Sequence, residues 1–96
     1  MKIVMIVYNS SIENKVIDAI KECGIEEYTK IPTVYGVGKN SGPHMGTHIW
    51  PATNSLLVVS CDDDSALKTM EKIRELKGQH LKLGIKAFML NEEEEI

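Results

Sequence analysis

His44 and His48, four residues apart, are the first side chains in this 96-residue chain with the chemistry of a site. Neutral imidazole suits Zn, Cu or Ni. Spacing limits what the pair does alone. On an extended strand, positions four apart lie about 13 Å from each other, too far to share an ion through bonds of ~2 Å. Pro43 and Gly46 oppose a regular helix, so a shared ion requires a tight turn at Gly46 or ligands from another subunit. The plainer alternative is that both imidazoles hydrogen-bond loop backbone and fix its shape. Upstream, Gly36 and Gly38 allow backbone N–H groups to approach a phosphate or carboxylate, and Lys39 adds charge. Strand-end turning explains the same glycines nearly as well. Trp50, held extended by Pro51, is either the aromatic wall of a cleft or a plug in a subunit seam. Thr47, Thr53 and Asn54 supply polar groups nearby.

All these residues fall between Gly36 and Asn54. That stretch holds four of the seven glycines, two of the three prolines, two of the three histidines and the single tryptophan. Segments patterned as helix or strand flank it. A loop of more than about a dozen residues in a small domain is usually functional or disordered, and interleaved histidines and tryptophan fit disorder poorly. His80 stands apart and reads as structural or exposed. Cys61 precedes a helix start, but three aspartates follow it and oppose a thiolate. No Ser/His/Asp set, carboxylate dyad or complete metal motif occurs, which points away from an enzyme.

The elements that must position this loop are legible from periodicity. Lys2–Tyr8 is an apolar, β-branched run, hence a strand buried on both faces. Ser10 and Glu13 have the spacing of a capping box, followed by a helical stripe of Ile12, Val16, Ile17, Ile20 and Cys23 that Gly24 ends. Tyr28–Val37 returns to strand chemistry, with Pro32 marking an edge or bulge. Ser55–Cys61 is a second apolar strand. Asp62, Asp63, Asp64 and Ser65 open another helix, complementing its dipole; Leu67, Met70, Ile73 and Leu76 form its expected buried stripe, and Lys77-Gly78 its end. Leu81–Leu90 alternates as the last strand, with Leu81, Leu83, Ile85, Ala87 and Met89 on one side. Residues 91–96 form an acidic tail on what reads as a single domain, 1–96.

The order β-α-β-β-α-β is that of a ferredoxin-like α+β fold, a four-stranded antiparallel sheet with two helices on one face. The other sheet face is then expected to be polar, yet three strands carry apolar residues on both sides. An apolar patch of that kind marks an interface, so a homo-oligomer is expected. A net charge of -3 gives no basic footprint for nucleic acid. No apolar run approaches the ~20 residues of a membrane span. The short Ile3–Val7 run lacks the features of a signal sequence, and two cysteines without a CxxC spacing fit a reducing, cytoplasmic setting.

Within that frame the chain resembles the P-II signalling superfamily, over nearly its whole length in element order. Val34-Tyr-Gly-Val-Gly-Lys39 is similar to the segment that opens the family's T-loop, and Leu56–Asp63 to the run into its second helix. Pro43-His-Met-Gly-Thr-His-Ile-Trp-Pro51 looks like a signature of small P-II-like proteins. The resemblance implies a homotrimer whose sheets face a threefold axis, ligand clefts between subunits, and a loop that contacts a partner protein. Before the last strand, P-II proteins proper carry Thr-Gly-Lys-Ile-Gly-Asp-Gly-Lys for nucleotide phosphates; here the region reads Lys77-Gly-Gln-His-Leu-Lys-Leu-Gly84. Nucleotide affinity is therefore expected to be weaker than in those proteins.

Three functional classes follow. The leading one is a P-II-like regulator or sensor that binds a small effector through Gly36, Gly38, Lys39, Thr47, Trp50 and Asn54. The second is a transition-metal-binding protein using His44 and His48, for Zn or Cu. The third is an interaction module with no small ligand.

Overall fold

The computed structural model describes residues 1–36 and 53–96. Strand β1 spans Lys2–Asn9, a short 3-10 turn Ser10–Ile12, helix α1 Glu13–Glu22, strand β2 Thr29–Val34, strand β3 Asn54–Cys61, helix α2 Asp63–Gln79 and strand β4 Ile85–Asn91. The four strands pair antiparallel in the order β2-β3-β1-β4. The expected ferredoxin-like arrangement is the one observed. Pro32 lies on an edge strand, where its missing N–H is tolerated, and the β2–β3 register shifts between Ile31 and Val34. No described helix is long and apolar enough to cross a membrane.

Alternation along β1 divides the sheet into two faces. Val4, Ile6 and Tyr8 are buried, and with Leu57, Val59 and Ile85 they share one core with Val16 and Ile20 of α1 and Ala66 and Ile73 of α2. No described helix covers the opposite face. Register places Thr29, Val58, Met5 and Phe88 in one row across the strands, and Ile31, Leu56, Val7 and Lys86 in the next. Ile31, Phe88 and Leu90 remain 44 %, 49 % and 48 % exposed. This is the apolar sheet back expected from the doubly apolar strands.

Gly24 ends α1 with φ +83°, the left-handed conformation that glycine adopts without a steric penalty. The Gly24 amide donates to the Lys21 carbonyl at 3.0 Å and the Ile25 amide to the Ile20 carbonyl at 3.1 Å. These two bonds are the Schellman pattern, and buried Ile25 and Ile20 supply its apolar contact. Helix α2 is capped by Asp62, whose side chain accepts from the Ser65 amide.

Four expected details differ. Ser10 does not cap α1: Asn9 accepts from the Ser11 amide, the chain makes a 3-10 turn, and the α-helix begins only at Glu13. The buried stripe of α2 runs through Ala66, Thr69 and Ile73, with Met70 and Leu76 half-buried on its flanks. Leu67 lies next to Ala66, about 100° round the helix, and is 56 % exposed. Helix α2 continues through Gly78 to Gln79, the cost of a helical glycine being modest. The last strand starts at Ile85, not Leu81, although Leu81 and Leu83 alternate like strand residues. Ile85 pairs with Tyr8, and beyond Asn9 the chain turns into the 3-10 segment, so β1 offers earlier residues no partner. Leu81 is consequently 83 % exposed.

Candidate functional site

Two consecutive amides at the end of β1 gather the connections at one end of the sheet. The Asn9 amide donates to the Gly84 carbonyl at 3.1 Å, fixing the turn that precedes β4. The Ser10 amide donates to the Thr53 carbonyl at 2.8 Å, fixing the chain where it enters β3. The turn at Leu81–Gly84, with Lys82, therefore lies at the same end of the sheet as the two ends of the segment between β2 and β3. Beside it the Lys15 ammonium stands 3.3 Å from His80 Nε2.

A polar cluster borders this region. The Tyr8 hydroxyl donates to Glu13 Oε1 at 2.7 Å, and the Lys30 ammonium pairs with the same oxygen at 2.7 Å. Burial, then the Glu13 hydrogen bond, holds the Tyr8 phenol above its ordinary range, so it stays protonated and donates. The Glu13 carboxyl is lowered, first by the Lys30 hydrogen bond and then by that of Tyr8. Sequence reading assigned Glu13 to a capping box and gave Tyr8 and Lys30 no role. Their meeting depends on Lys30 of β2 standing opposite Leu57 of β3, on the face that the helices cover, a direction the periodicity alone left open.

Because the folded carboxyl is depressed, its stabilising contribution is complete above the ordinary glutamate value of 4.5 and is lost as the pH falls below it. Glu13→Gln is therefore expected to melt below wild type at pH 6–7. The gap should close as the pH is lowered toward 3. A gap that stayed constant across thermal melts over that range would contradict the ionic reading of this cluster.

Of the predicted binding residues, the structure describes Gly36 and Asn54. Gly36 is exposed, and a Cβ placed there would meet none of the described residues within 4 Å. Asn54 is half-buried and pairs with both Asn9 and Val34. Gly38, Lys39, His44, Thr47, His48 and Trp50 lie outside the described residues. Among the described residues, no group of three or more His, Cys, Asp or Glu side chains is placed to hold a metal ion. His80 closes α2 through its amide, which donates to the Leu76 carbonyl at 3.0 Å. At the opposite end of the sheet, Gly24, Glu26, Glu27, Ser60 and Asp62 help to line an open cleft of about 360 Å³. Burial, then Asp62, pushes the Cys61 thiol up, away from the thiolate form.

Residues 1–94 match the sequence profile of nitrogen regulatory protein P-II. The chain belongs to the P-II family. Among solved structures, a protein from Thermus thermophilus described as PII-like and signalling superposes with a TM-score of 0.69 at 23% identity, covering 92% of this chain and 82% of that one. CPII from Thiomonas intermedia, a nitrogen regulatory PII-like protein bound to ADP, AMP and bicarbonate, gives 0.68 at 12% identity, with 93% and 84% covered. Its apo form gives 0.66 at 10% identity, with 93% and 87% covered. At these identities the superpositions speak for the P-II fold alone. No curated protein sequence matches the chain.

Proposed function

We propose that this P-II family member is a regulatory sensor that binds an adenine nucleotide where the ends of the β2–β3 segment meet the turn before β4, and modulates a partner protein in response. The observation that carries this reading is the pair of adjacent amides, Asn9 and Ser10, bonded to Gly84 and Thr53. They bring a glycine-bearing turn with Lys82 to the same end of the sheet as Gly36 and Asn54, which supports a site where backbone donors and positive charge meet a phosphate. The nucleotide-bound CPII relative supports the same ligand class. In this reading Gly36 and Gly38 admit the phosphate, Lys39 and Lys82 supply charge, Thr47 and Asn54 add polar contacts, and Trp50 offers a face to the base. The working unit is a homotrimer closed through the apolar sheet back, with each cleft completed by a neighbouring subunit.

Lys82 without the full glycine-lysine cradle acts as a mobile point charge. Calorimetry with ADP, and with AMP in the presence of bicarbonate, is therefore expected to give a Kd of about 1 µM or weaker, weakened further by Lys82→Ala. A Kd well below that, or no heat with any nucleotide, would contradict it. Heat with Zn or Cu alone, lost in a His44→Ala/His48→Ala variant, would favour the metal-binding class instead.

A further inference from the structure

The edge ladder of the sheet is broken where β2 ends. Pro32 has no N–H to give, and the register shifts between Ile31 and Val34. A buried side chain closes the break. Ser55, 1 % exposed, donates through its hydroxyl to the Pro32 carbonyl at 2.9 Å. Ser55 Oγ also lies 2.9 Å from Ser10 Oγ, which lies 3.2 Å from Thr53 Oγ1.

A serine or threonine hydroxyl carries one proton. Ser55 gives its proton to Pro32, so Ser10 must donate to Ser55, and Thr53 to Ser10. The chain of donors therefore has one direction, Thr53 to Ser10 to Ser55 to Pro32. Aligned hydrogen bonds of this kind polarise one another, most at the buried Ser55 end of the chain. The chain joins the end of β2, the start of β3 and the turn that opens α1. The Ser10 amide adds a second bond to Thr53. Tyr8, directly opposite Ser55 in the β1–β3 register, places the Glu13–Lys30 cluster alongside.

We propose that Ser10, Thr53 and Ser55 form a latch that holds the departing end of β2 and the returning end of β3 at a fixed spacing and ties both to the start of α1. Ser55 is its central positioning residue. The latch makes the frame of the β2–β3 segment rigid independently of any ligand. Movement at either end is passed to α1 through Ser10.

Amide hydrogen exchange, followed residue by residue by NMR on the unliganded protein, tests this apart from the nucleotide reading. In Ser55→Ala, exchange at Ser10, Val34 and Asn54 is expected to quicken about fivefold, the population change of one lost hydrogen bond. Exchange at Val59, deep in β3, is expected to stay unchanged. Ser10→Ala should quicken the same amides, and the double variant should do little more than either single one, because each breaks the same chain. Ser10→Ala alone decides the matter if Ser55→Ala does not fold, since Ser10 is only half-buried. Unchanged exchange at Ser10, Val34 and Asn54 would overturn the latch. So would an equal acceleration at Val59, which signals general destabilisation.

Discussion

Val58→Glu is expected to yield a folded monomer. Val58 sits on the uncovered sheet face, in the row formed with Thr29, Met5 and Phe88, and is half-buried within the single chain. In the proposed trimer that row meets its symmetry copies, so the glutamate becomes an unpaired charge in an apolar seam. Removing such a group from water without a partner costs on the order of 3–5 kcal/mol. Three copies of that cost apply to each trimer. The same side chain in the isolated chain reaches solvent, so the helix-covered core is left intact. Light scattering should report the monomer mass while far-UV circular dichroism keeps the wild-type form. A trimer of undiminished stability would show that the subunits meet elsewhere.

Ile6→Glu is expected to prevent folding altogether. Ile6 is fully buried, paired with Leu57 on one side and Ala87 on the other, on the face that both helices cover. Truncating a core isoleucine costs about 2–5 kcal/mol, and a buried charge adds several more. Their sum rivals the 5–15 kcal/mol typical of a whole domain. Circular dichroism of the variant should lack a cooperative melt. A native spectrum with a cooperative transition would mean that the core opens to water at β1, contrary to its burial. The two substitutions lie on neighbouring strands yet are expected to differ in kind, because strand alternation puts them on opposite faces.

Much of this follows from the sequence alone. The doubly apolar run Lys2–Tyr8, the stripe from Ile12 to Ile20, the stop at Gly24 and the acidic start at Asp62 each encode their element through local periodicity and caps. In order they permit essentially one sheet topology, and the P-II resemblance agrees with it. Pro32 marked an edge or a bulge because a central ladder rarely lacks that donor, and β2 is an edge strand with a register shift beside Pro32. The apolar back of the sheet was also legible, as surplus hydrophobicity that two helices have no room to cover.

Tertiary structure decided what periodicity leaves ambiguous. Between Val58 and Ile6, only strand register and helix placement tell which faces the core. Leu81 and Leu83 carry strand alternation, but a strand exists only where a partner does, and β1 has turned away by Ser10. Leu67 fits a helical stripe as well as Ala66 does; the packing of α2 buries the smaller residue and leaves the larger outside. Ser10, read locally as a cap, is drawn instead to Thr53 and Ser55, 43 and 45 residues away. Glu13 likewise turns to Tyr8 and Lys30. A short polar side chain bonds whatever the fold brings within 3 Å, and sequence spacing records only the partners that are near along the chain.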